Sequence, residues 1–198
     1  MLMISGLRPD VAIINIRPEG AKSLTQGNAL WTNTMPQSLT KVYVHITFST
    51  KHRNPSIGKD IEQELWNYIG GICKALECSP IRVGGYNDHV HICCLLSRKI
   101  SQSKLLGEIK RQSSKWIKTK GREYEKFYWQ DGYGVFAVNP MGVERVVKYI
   151  ENQHEHHKKR SFQEELLAFL KKYNVNFDER YLWDWFVSLM KANSLPTW

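Results

Sequence analysis

The chain has 198 residues, with 28 Lys and Arg against 19 Asp and Glu, a formal net charge of +9 and 42% hydrophobic residues. That length and apolar share suit one core with extensions rather than two full domains, and the basic balance favours a polyanionic partner. No apolar run reaches the length of a membrane span and the opening residues lack a secretory stretch, which excludes a membrane role and predicts a cytoplasmic location.

Residues 1–40 mix Gly, Pro, Asn, Ser and Thr without a clear period, apart from Val11-Ala12-Ile13-Ile14, and predict a poorly ordered extension. Met35 stands just ahead of the first convincing element. Residues 41–50 alternate, with Val42, Val44, Ile46 and Phe48 on one face and Tyr43, His45, Thr47 and Ser49 on the other, which predicts a half-buried strand. After the loop 51–55, Ile61, Leu65, Tyr68, Ile69, Ile72 and Leu76 recur at helical spacing. A hairpin follows, with strands 81–86 and 89–96 joined through the turn pair Asn87-Asp88.

Ser101 or Ser103 opens a second helix, which carries Leu105, Leu106, Ile109, Trp116 and Ile117 on one face and Lys104, Lys110, Arg111, Lys115 and Lys118 on the other. A short strand is predicted over 133–138, and Asn139-Pro140 supplies a cap and a first-turn proline for a third helix running to about residue 157. Ser161-Phe162-Gln163-Glu164 has the form of a capping box and begins a fourth helix through Leu166, Leu167, Phe169 and Leu170. An aromatic-rich end with Trp183, Trp185, Phe186 and Leu189 closes the chain. The order strand, helix, strand, strand, helix, strand predicts an α+β fold, a ferredoxin-like βαββαβ sheet with additional C-terminal helices. The corresponding division is an extension over 1–40, the sheet domain over 41–158 and a helical, aromatic-rich tail over 159–198.

Four cysteines raise the question of zinc, but adjacent Cys93 and Cys94 in a strand point to opposite faces, so packed reduced thiols are the expectation together with Cys73 and Cys78. The histidines of His89-Val90-His91 emerge on one face because the strand repeat is two residues, and His45 on the first strand can share that face. On its own, this pair is equally compatible with a metal site and with a solvated hairpin edge. Tyr149 and Gln153, four residues apart, project from one face of the third helix, while Val143, Val146, Val147 and Ile150 offer an apolar stripe to the sheet.

His89-Val90-His91, Trp129-Gln130-Asp131-Gly132-Tyr133-Gly134 and Tyr149-Ile150-Glu151-Asn152-Gln153 resemble, in order and spacing, the motifs of the single-tyrosine HUH transposases, the insertion-sequence-200-like group and its repeat-associated relatives. The stretch from Val42 to Arg53 is similar to that family's first strand. The resemblance implies a DNA transposase in which His89, His91 and Gln153 bind Mg2+ or Mn2+. It implies further that Tyr149 attacks the scissile phosphate of single-stranded DNA to form a 5′-phosphotyrosine. Imidazole ligands alone would have suggested a softer metal such as zinc. The resemblance also implies hairpin-bearing DNA ends and a homodimer. Lys51, Arg53, Lys104, Lys110, Arg111 and Lys115 are candidate phosphate contacts, each as compatible with solvated surface. His154-Glu155-His156-His157-Lys158-Lys159-Arg160 reads as a positively charged helix end with phosphate contacts rather than a second metal site. The alternatives are a non-catalytic nucleic-acid-binding regulator derived from such a transposase, a replication initiator or relaxase, and an RNA-binding module on the same fold.

Overall fold

The computed structural model of the chain describes residues 39–178, so the aromatic-rich end and all but the last two residues of the predicted extension lie outside the described part. Four strands, β1 (Tyr43–Ser49), β2 (Ser79–Tyr86), β3 (His89–Leu95) and β4 (Gly134–Val138), alternate with α1 (Glu62–Ala75) and α2 (Gln102–Ile117). Three further helices follow: α3 (Val143–Glu151), α4 (Gln153–His156) and α5 (Phe162–Lys172). The strands form one antiparallel sheet in the order β2-β3-β1-β4. This is the ferredoxin-like βαββαβ plan with added helices.

Alternation explains the two sides of the sheet. Val44, Ile46 and Phe48 of β1 and Val90 and Ile92 of β3 lie in one buried cluster with Leu65, Ile69 and Ile72 of α1 and Leu105, Leu106 and Ile109 of α2. Each such side chain withdrawn from water contributes roughly 1.5–3 kcal/mol before chain entropy is counted. Ser101 is the residue that caps α2, its side chain accepting from the Lys104 N–H. All four cysteines are free and buried, and burial, with Cys78 nearby, pushes the Cys73 thiol up to about 12. They are packing residues held as thiols.

The other side departs from the half-buried strand that β1 predicts: six of its seven residues are buried, on both faces. The reason is a second layer formed by the helices after β4. Asn139 caps the turn Pro140–Gly142 by accepting from the Met141 N–H, and α3 starts at Val143. The single helix expected to reach residue 157 breaks at Asn152 (φ −95°, ψ 17°), and α4 resumes at Gln153. On β2, a Cβ at Gly84 would stand 2.8 Å from Ile150 Cγ2 and 3.2 Å from its carbonyl oxygen, so the missing side chain is what lets α3 seat on the sheet. Ser161 and Glu164 form the full capping box that starts α5.

Candidate metal and nucleophile site

The site is built on the sheet face that carries the odd-numbered residues of β1. Strand pairing sets His91 between Thr47 and Gly84, and His89 between Ser49 and Tyr86, so both imidazoles rise from rows of mostly small neighbours. Their rings sit 4.9 Å apart between centroids, and both residues are fully buried. The solvated hairpin edge, one of the two readings of this pair, is therefore not what the strand forms.

Each ring is oriented through its Nδ1. Asp88 Oδ1 lies 2.7 Å from His89 Nδ1, and His45 Nε2 lies 3.0 Å from His91 Nδ1. A proton on each Nδ1 satisfies both contacts and leaves both Nε2 lone pairs aimed into the space above the sheet. His45 thus shares the face, as the sequence allows, in an orienting position. Burial lowers its pKa to about 4, partly opposed by the Glu165 carboxylate and helped by Lys172, so its ring is neutral near pH 7. His91 is held well below the usual imidazole range, first by burial and then by His89, His45 and His157.

The helices add three donors. From α4, Gln153 Oε1 stands 2.9 Å from His89 Nε2. His157, directly after α4, places Nε2 3.2 Å from His89 Nε2 and 3.1 Å from Gln153 Oε1. From α5, Glu165 Oε2 is 3.4 Å from His157 Nε2 and 3.9 Å from His91 Nε2. His89, His91 and Glu165 can each offer an atom to one cation, all within 4.8 Å of one another. A divalent ion suits this set: donors at ~2.1 Å from such an ion stand about 3.0 Å apart along an octahedral edge. The buried His91 Nε2 and Glu165 Oε2 otherwise have no hydrogen-bond partner. The mixture of imidazole with amide and carboxylate oxygen also eases the expectation of a softer metal that imidazole alone carries.

Tyr149 hangs from α3 over the same face. Its ring centroid is 5.3 Å from that of His91 and 5.9 Å from that of His45, edge-on to both, within its own chain. The hydroxyl is buried without a hydrogen-bond partner, and burial, reinforced by the Glu165 carboxylate, raises its pKa. The enclosure comes from α5: Phe162 stacks on His89 at 4.7 Å, and Phe169 meets both Tyr149 and His45 edge-on.

Sequence reasoning missed His157 and Glu165. His157 follows Gln153 by four residues, so helical spacing already pointed to the same face, but its place in a basic run made it read as a helix end. The signal for Glu165 was a single carboxylate inside the stripe Phe162, Leu166 and Phe169. The other histidines of that run separate from the donors: His154 contacts Glu62 at 3.0 Å, and His156 lies against the Tyr149 ring at 5.2 Å.

The candidate phosphate contacts fall in three places. Lys51 is exposed just past β1, and Arg53 borders a concavity of about 360 Å³ with Lys159, Arg160, His157 and Phe162, beside the donor cluster. Lys104, at the start of α2, is exposed. Lys110, Arg111 and Lys115 line a groove along α2, where Lys110 Nζ donates to the carbonyls of Gln130, Asp131 and Gly132 at 2.7, 2.9 and 2.8 Å, and Arg111 pairs with Glu108. Lys110 therefore braces the loop after Trp129, whose indole is buried and donates to Ser113 at 2.9 Å.

Residues 38–153 match the family described as "Transposase IS200 like". Among solved structures, a candidate transposase of Deinococcus radiodurans R1 is 17% identical, covering 66% of this chain and 98% of that one, with a TM-score of 0.47. A REP-associated tyrosine transposase bound to a REP hairpin is also 17% identical, over 62% of this chain and 73% of that one, with a TM-score of 0.47. No curated protein matches.

Proposed function

Because the chain belongs to the IS200-like transposase family, we propose that it cleaves and rejoins single-stranded DNA through a 5′-phosphotyrosine on Tyr149, with help from a divalent metal. His89, His91 and Gln153 would hold Mg2+ or Mn2+, with Glu165 and His157 close enough to complete the set. Bound there, the ion would withdraw charge from a non-bridging phosphate oxygen and stabilise the departing 3′ oxygen. The observation that carries this reading is the meeting of the Tyr149 ring with the His91 ring above two outward-facing Nε2 lone pairs.

The steps balance without nucleotide hydrolysis. Tyr149 Oη bonds to phosphorus, the P–O3′ bond breaks, and the phenol's proton in effect passes to the departing 3′ oxygen. Attack by a 3′ hydroxyl of another strand on the phosphotyrosine restores a phosphodiester and returns the phenol. Asp88 and His45 hold the two imidazoles in the tautomers this needs. Burial and the nearby Glu165 charge disfavour phenolate, so the covered site is poor at attack until α5 gives way. DNA with hairpin ends and a homodimer remain part of the proposal on family grounds.

A labelled single-stranded oligonucleotide bearing such an end, mixed with protein and Mn2+ on a denaturing gel, should yield a covalent adduct that Tyr149→Phe and EDTA each abolish. Mixing Tyr149→Phe with His91→Ala subunits restores the adduct only if a dimer shares its tyrosine between sites. The buried phenol favours one rival, a non-catalytic regulator on the same fold. Tight DNA binding with no adduct from the unaltered protein would select it.

A further inference from the structure

We infer that the groove between α2 and the segment 128–133 is a track for unpaired nucleotides, with bases stacked on Tyr128 and Tyr133 and phosphates on Lys115 and Lys118. The groove encloses about 540 Å³. Tyr128 and Tyr133 are 55% and 46% exposed, and they are the two aromatics among the exposed large hydrophobic residues of the described chain. Both open onto this one groove. Aromatic rings left in water beside a row of cations match what a single strand presents, a flat base alternating with a negative phosphate.

The elements that set these rings in place are rigid. Trp129, between them, is anchored in the core on Phe48 and Phe127, each with ring centroids 4.9 Å away. The following carbonyls are tied to Lys110, whose Nζ also stands 5.4 Å from the Tyr133 ring centroid. Lys118 Nζ lies over the Tyr128 ring, 3.5 Å from its centroid, so a base that stacks on this face displaces the ammonium from the ring towards the adjoining phosphate. Arg111 is partly neutralised by Glu108, so the charge expected to matter is that of Lys115 and Lys118.

The groove also leads somewhere. Tyr133 and Gln130 border a second cleft, of about 150 Å³, whose far wall includes Phe162, the ring stacked on His89. A strand lying along α2 and passing over Tyr133 would arrive at the donor cluster. Stacking requires bases that are not already paired, so the ligand is single-stranded DNA, and because every base has a π face, the groove is tolerant of sequence. This inference takes its ligand from the proposed reaction and rests on that reading, but needs neither the Tyr149 hydroxyl nor a metal.

Fluorescence anisotropy with labelled oligo(dT), using full-length Tyr149→Phe protein in EDTA, tests it apart from chemistry. Tyr128→Ala and Tyr133→Ala should each weaken binding about tenfold, Tyr128→Phe should restore it, and Lys118→Ala should lower the slope of log affinity against log salt by about 0.7. Duplex DNA of the same length should bind more weakly and be indifferent to Tyr128→Ala. Both tyrosines are surface residues, so unchanged thermal melting should accompany the losses. Alanine variants that bind oligo(dT) as well as the parent, or duplex that binds as tightly as single strand, would overturn the inference. Failure of the proposed function itself reads out separately, as absence of a covalent adduct from the unaltered protein.

Discussion

His91 receives a neutral neighbour on Nδ1 from β1, lies beside a phenol carried by α3 and keeps a bare Nε2. Burial lowers the pKa of His45 to about 4 from 6.5, so the unfolded chain takes up a proton there before the folded one does. In the metal-free protein this part of the stability is present above pH 6.5, is lost progressively as pH falls toward 4, and falls no further below that. The shift corresponds to a loss on the order of 3 kcal/mol, and His91 works in the same direction. Denaturant melts in EDTA across that window should show the decline, and His45→Phe should flatten it; equal slopes for the two proteins would count against the assignment. At this scale the sequence displayed His89, His91, Tyr149 and Gln153 because strand and helix periods put them on common faces. It concealed His157 and Glu165, whose roles depend on the break at Asn152 and on where α5 lands.

At the scale of elements, α3 depends on a gap in β2 and α5 acts as a cover. Gly84→Val would drive a branched side chain into Ile150, lifting α3 and with it Tyr149. Covalent capture should fall by at least tenfold while binding to oligo(dT), on the far side of Trp129, stays within about twofold. Loss of both together would mean the fold, rather than the seating of α3, had failed. The inward face of α5 holds Phe162, Glu165 and Phe169 against His89, His157 and Tyr149. The Tyr149 hydroxyl is buried beneath it, so the proposed attack on DNA requires that contact to open. Phe169→Ala removes a ring that touches both Tyr149 and His45, and it should raise the rate of adduct formation several-fold. A fall instead would make α5, through Glu165, a required part of the reacting arrangement. The sequence announced α5 through its capping box, but the box says where a helix starts and nothing of what the helix covers. For the same reason β1 read as half-buried: its own alternation could not reveal a second helical layer.

Across the whole molecule, the +9 charge becomes specific only once the fold distributes it. Lys110 serves a loop and Arg111 an ion pair, whereas Lys115 and Lys118 face an aromatic groove and Arg53, Lys159 and Arg160 gather beside the donor cluster. A cleft between these regions shares Gln130 and Tyr133 with the first and Phe162 with the second. The βαββαβ order was legible because six elements of clear period follow one another as strand, helix, strand, strand, helix, strand, while the destination of a basic side chain is decided by packing that no periodicity records. No helix of the described residues is long and apolar enough to cross a membrane. The central claim is that the Tyr149 oxygen becomes esterified to DNA. Protein incubated with single-stranded end DNA and Mn2+, then digested with nuclease and trypsin, should yield the peptide 149–158 carrying a 5′-nucleotide on its tyrosine by mass spectrometry. An adduct mapped to any other residue, or a cleaved strand with peptide 149–158 found only unmodified in stoichiometric reactions, would contradict it.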